Sequence, residues 1–206
     1  MKASLGHTTA LRSLFVAALA LALAPTDAEA HLVTTGLGPV FDGIGHLFLT
    51  PEDLLPALAL ALFAGLRGAE AGRSALFVLP AAWLAGGLIG LASSASLPIW
   101  VTVASFLIVG GLVAADARLS RRWLIGLAVV LGLLHGSMNG AAMAEARLGL
   151  LGLLGITAAV FVLVALAAGL VVSLRRPWTR IAVRVAGSWI VATGLLLLGW
   201  WLGPAS

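Results

Sequence analysis

Residues 123–144 read WLIGLAVVLGLLHGSMNGAAMA. This run of twenty-two positions holds no Asp, Glu, Lys or Arg. At 1.5 Å per helical residue, about twenty apolar residues cross a hydrocarbon core of roughly 30 Å. Lipid offers no partner to a bare peptide group, so the run reads as a transmembrane helix. Its polar residues are ordered. His135 and Asn139 stand at i and i+4, on one face. Gly132, Gly136 and Gly140 form a small-residue ridge overlapping that face. Such a ridge packs against another helix, so His135 is expected to point into a bundle and not into lipid.

The rest of the chain repeats the pattern. Further apolar runs lie at about 44–66, 74–93, 98–116, 148–174 and 178–202. Over all 206 residues, 61% are apolar and 10% charged, and the mean hydropathy is +1.12. A soluble domain carries about a quarter charged residues. The expected fold class is therefore all-α: a polytopic membrane helix bundle of about six transmembrane helices. With no cysteine, disulfides, thiolate metal sites and iron–sulfur clusters are excluded. Twelve basic residues against eight acidic ones fit membrane loops. No basic face interleaved with aromatics suggests nucleic acid.

Residues 1–30 read as an address. Lys2 and Arg12 form a basic region, Leu14 to Ala24 an apolar one, and Ala28-Glu29-Ala30 a small-x-small cleavage pattern. Removal of this signal peptide leaves a transmembrane domain of residues 31–206, beginning at His31, whose amine and imidazole together suit a transition metal. Arginines gather in alternate joints: Arg67 and Arg73; Arg118, Arg121 and Arg122; Arg175, Arg176, Arg180 and Arg184. The positive-inside rule places these joints in the cytoplasm. Both the mature N-terminus and the C-terminus are then expected outside, in a bacterial inner membrane. Trp123, Trp178, Trp200 and Trp201 fall at span ends, as interfacial anchors do.

Ionisable residues at membrane depth are functional candidates. The first span contains FDGIGHLFLTPEDLLP, residues 41–56. Asp42 and His46 are four apart. Thr50-Pro51-Glu52-Asp53 reads as a helix start, with Thr as cap and acids in the first turn. A helix from Pro51 to about Leu66 is about 24 Å long, so the first span is expected to break near Pro51. Broken helices beside ionisable groups are how transporters build sites. Counting residues from the span ends places His46, Glu52, Asp53, His135 and Asn139 in one half of the bundle. Asp116 with Arg118, and Glu145 with Arg147, read as edge pairs. Imidazole, carboxylate and amide oxygen are ligands for borderline divalent metals. The candidate metal ligands are thus Asp42, His46, Glu52, Asp53, His135 and Asn139. No enzyme is expected: Ser137 lies at i+2 from His135, facing away, and nucleophile-elbow, zinc-protease and Walker motifs are missing.

At His46, Glu52-Asp53 and His135-Gly136-x-x-Asn139-Gly140 the sequence resembles the HupE/UreJ family of hydrogenase and urease accessory membrane proteins. The resemblance implies a cleaved signal, about six later spans and nickel or cobalt permeation. It also implies motifs of His, five residues, then Asp-His in the first span, and His-Gly-x-x-His-Gly in the fourth. Placed without gaps, Glu52 falls on the family Asp and Asp53 on its second His; Asn139 replaces the second His of the fourth-span motif, and Ala142 stands where an acid often follows. Oxygen ligands are harder than imidazole, so the resemblance implies weaker nickel binding or a different cation.

The expected function is an integral membrane permease for a divalent transition-metal ion, nickel or cobalt first. Secondary coupling or the membrane potential would drive uptake, with no tightly bound cofactor. Its partners are the cation, the bilayer, and either further copies of itself or metalloenzyme-maturation proteins. Two alternatives stand beside it. One is a haem protein ligated by His46 and His135. The other is a non-transporting accessory subunit whose polar residues only join helices.

Overall fold

Each apolar run among the described residues becomes helix, because a backbone in lipid must satisfy its own N–H and C=O groups. The computed structural model describes residues 34–93, 97–174 and 176–203. The expected signal segment 1–30, His31 and the joint residues 94–96 lie outside the described residues. The helices are α1 (Pro39–Leu49), α2 (Pro51–Leu66), α3 (Ala69–Ala92), α4 (Ile99–Ala114), α5 (Arg121–Glu145), α6 (Gly149–Ser173) and α7 (Pro177–Leu202). No strand occurs among the described residues.

Four of these, α3, α5, α6 and α7, are long and apolar enough to cross a membrane. The first expected span is broken: α1 and α2 meet at 77° and make a fifth crossing only if counted together. Pro51 has no N–H and disfavours helical backbone at the residue before it, so Thr50 sits at φ −109°, ψ 89°. Thr50 closes α1 through its own N–H to His46 O at 3.0 Å and opens α2 through its carbonyl, which accepts Leu54 N–H at 3.0 Å. Its side chain makes no capping bond, contrary to the expected Thr cap. The run at 98–116 is shorter than expected as a helix. α4 has 16 residues, about 24 Å, less than a full crossing. It is stopped by Asp116, whose φ of 51° lets Ala117 N–H reach back to Leu112 O at 3.0 Å. Among the described residues four helices, or five crossings with the bent pair counted as one, meet the length requirement, in keeping with the polytopic helix bundle expected.

The core is set by glycine. Along α5, Gly132, Gly136 and Gly140 lie against the backbone of α3 at Leu79, Trp83 and Gly87. Gly86 and Gly90 of α3 return the contact at Leu133 and Ser137. The expected ridge is thus one half of a reciprocal seam. Backbones this close gain dispersion along their whole length, the main attraction left once water is absent. A second seam holds the short α1 on α6, with Gly43 on Gly152 and Gly155 on Val40.

At the arginine-rich end, Asp116 pairs with Arg67 and Arg180, not with Arg118 as the sequence suggested. Arg180 Nη2 donates to Asp116 Oδ1 at 2.8 Å, and Arg184 Nε donates to Ala114 O at 2.9 Å. One carboxylate thereby ties the ends of α2, α4 and α7. The hydrogen bond from Arg180, above all, holds the Asp116 carboxyl below the ordinary carboxylate range. A depressed carboxylate contributes stability above its unfolded value and loses it as pH falls through the folded one. Asp116→Asn is expected to cost about 1 kcal/mol at neutral pH. Its melting temperature should converge on that of the parent at acid pH; a gap that persists there would refute the ionic origin.

Candidate metal centre

Asp53 is the third residue of α2. A carboxylate is favoured in the first turn of a helix, where free N–H groups and the dipole are positive. The bend at Thr50 turns that first turn inward, and Asp53 is buried at 4% exposure. Its Oδ1 lies 2.8 Å from His135 Nδ1. Its Oδ2 accepts Asn139 Nδ2–H at 2.8 Å. The i, i+4 spacing on α5 therefore gives one carboxylate two partners from one helix face. His135 is fully buried and Asn139 is at 1% exposure.

The other edge of the imidazole is held by α4. Ser105 Oγ lies 2.9 Å from His135 Nε2 and 2.8 Å from Val101 O. A hydroxyl has one proton and spare lone pairs. Given to Val101 O, that proton leaves Oγ to accept Nε2–H; turned to Nε2, it serves a neutral ring. The imidazole is thus anchored in either charge state, while Nδ1–H faces Asp53. The Trp83 indole stacks on the ring, with centroids 5.7 Å apart and planes at 28°. The glycine seam makes this possible: Gly136 lets the Trp83 backbone touch α5 one residue from His135.

Asn139 spends both amide protons, on Asp53 and on His135 O at 2.9 Å. Its Oδ1 is buried with no partner in the protein, as is Trp83 Nε1. A buried acceptor without a donor costs about 1–3 kcal/mol. An oxygen of this kind beside a carboxylate is what a cation or a water satisfies.

The other sequence candidates lie apart from this trio in different ways. His46, on α1, is half-buried and within reach of the Asp53 charge. Glu52 is exposed, one position and about 100° around the helix from Asp53. Asp42 is buried but already engaged: its Oδ1 accepts Thr35 N–H and Thr35 Oγ1–H, both at 2.6 Å. It anchors the segment leading into α1. Among the described residues no three His, Cys, Asp or Glu side chains converge as a metal cluster; the third polar group here is the Asn139 amide. Both nitrogens of His135 already face protein partners, and this leaves neither free for a haem iron as the ring stands. Sequence reading missed Ser105 and Trp83. Ser105 had a signal, a hydroxyl in an otherwise apolar span with Thr102 one turn away.

No curated protein and no solved structure matches the chain. The family model described as HupE / UreJ protein matches residues 19–197. That match takes in the bent first span, both glycine seams and the Asp53–His135–Asn139 cluster, and with most of the chain covered, this membrane protein belongs to the HupE / UreJ family.

Proposed function

We propose that the protein is a permease for a divalent transition-metal ion, with nickel and cobalt the first candidates. The observation that carries this reading is the buried trio at a helix break: a carboxylate, an imidazole and an amide whose oxygen has no partner. Charge placed so deep is costly, and a membrane protein keeps it where an ion passes. Asp53 supplies charge to offset a dication, Asn139 Oδ1 supplies a neutral oxygen, and His135 supplies the nitrogen that borderline metals prefer. A cation entering the cluster exchanges with one of the hydrogen bonds that now hold the imidazole.

Direction follows from charge. With the arginine-rich end in the cytoplasm, the cluster lies about 15 Å below the outer end of α5, ten residues before Glu145. An inward-moving cation gains about 2.3 kcal/mol per charge per 100 mV, so uptake needs no nucleotide site in this chain.

The test is uptake of radiolabelled nickel and cobalt by cells expressing the parent, His135→Ala or the bulkier His135→Gln. Membrane content is measured for each. Saturable uptake by the parent that both variants lose, at equal membrane content, is the expected result. Uptake unchanged in the variants removes the cluster from the path. A parent present in the membrane but silent for both ions favours the accessory-subunit reading.

A further inference from the structure

At the arginine-rich end, a cavity of about 280 Å³ opens between the C-termini of α2 and α6 and the first turn of α7. Its walls include Leu66, Val171 and Val172, and its rim carries Arg176, Thr179 and Arg180. A second, almost wholly apolar groove of about 190 Å³ starts at the same Val172. It runs between α3 and α6 past Ala168 and Gly169 to Val164, with Arg73 beside it. The eight helical steps of α6 from Val172 to Val164 make it about 12 Å long.

The two spaces differ in chemistry and share a wall. Two arginines, Arg176 and Arg180, line the first and no acidic residue does. Asp116, beside them, is shared between Arg67 and Arg180, so two guanidinium groups meet one carboxylate and, with Arg176, the local charge stays positive. Guanidinium groups match phosphate oxygens in geometry and charge. Apart from Arg73 at its edge, the second space is lined by apolar groups and fits a hydrocarbon chain.

We propose that the pair forms a site for one anionic phospholipid, with its phosphate against Arg176 and Arg180 and one acyl chain in the α3–α6 groove. Basic pockets between membrane helices bind such headgroups on electrostatic grounds. The site lies at the opposite end of the bundle from the Asp53 cluster and holds whether or not the protein carries metal.

Native mass spectrometry of the detergent-solubilised full chain tests this. The chain is offered phosphatidylglycerol, phosphatidylcholine or inorganic phosphate. The parent is expected to retain phosphatidylglycerol about five-fold or more over phosphatidylcholine, the factor one arginine supplies at an anionic surface. Arg176→Gln should lose most of that preference. Gly169→Leu should weaken retention of both lipids and leave phosphate untouched. It is expected to fold, because a Cβ on Gly169 meets nothing within 4 Å and Leu is the better helix former. Equal retention of the two lipids by the parent overturns the proposal, as does unchanged phosphatidylglycerol retention in Gly169→Leu. Phosphate binding that Arg176→Gln abolishes, with both lipids indifferent to Gly169→Leu, would mark a plain anion site and overturn the lipid assignment. Should Arg176→Gln not fold, Gly169→Leu decides alone.

Discussion

Gly136→Val is expected to yield little or no folded protein, while Gly126→Val, ten residues earlier on the same helix, should behave as the parent. A Cβ on Gly136 would fall inside the Trp83 backbone, which has no rotamer to yield. The helices must part, and the contacts of Gly132 and Gly140 on the same seam go with them. Parting also lifts the Trp83 indole from His135 and exposes the buried Asp53–His135 hydrogen bond to a gap. The summed loss is several kcal/mol, at the extreme of single substitutions and comparable with a typical total stability of about 5–15 kcal/mol. A Cβ on Gly126 meets nothing within 4 Å and faces outward. Size-exclusion profiles and thermal melts of the two detergent extracts check this directly. Equal melting temperatures would show that the seam does not hold the bundle.

Asp53→Asn is expected to abolish saturable metal uptake, by at least about a hundred-fold, with the protein still folded. The substitution keeps the shape of the side chain. The amide oxygen can still accept from His135 Nδ1, but the new NH₂ faces the Asn139 Nδ2–H that Asp53 Oδ2 accepted, so that one hydrogen bond is lost. The fold therefore loses about 1–3 kcal/mol, less than a typical total stability of about 5–15 kcal/mol. A dication loses far more, since a carboxylate about 4 Å away is worth on the order of 4 kcal/mol per unit charge at an effective dielectric of about 20. By contrast, Glu52→Gln should leave uptake close to that of the parent, because Glu52 is exposed. Uptake curves for both variants, normalised to membrane content, separate the two acids. Loss in Glu52→Gln with retention in Asp53→Asn would reverse the assignment.

Those neighbouring acids mark the limit of what could be read from the chain alone. Pattern and propensity place both in the first turn of a helix after Pro51, and both are there. Which one turns inward depends on the rotation of α2 about its axis, and packing against α4, α5 and α6 sets that rotation. The same holds for Asp116, next to Arg118 in sequence but left-handed at the end of α4, so that its carboxylate reaches Arg67 and Arg180 instead. Asp42 and His46 do share α1, yet Thr35, seven residues upstream of Asp42, captures its carboxylate.

What the chain declared by itself was local and periodic. Partition into lipid depends on the composition of a twenty-residue window, so the helical membrane class and the run boundaries followed from hydropathy. The inward aim of His135 followed from its register with Gly132, Gly136 and Gly140, because small residues mark the face that another helix must cover. The break at Thr50 followed from the chemistry of Pro51. The tertiary structure decided everything that joins distant segments. It set the 77° angle at that break, the choice of Asp53 over Glu52, and the roles of Ser105 and Trp83 around His135. It also shortened α4 through the turn at Asp116. These are relations between helices whose rotations and distances are fixed only when backbones touch, and no window of sequence contains them.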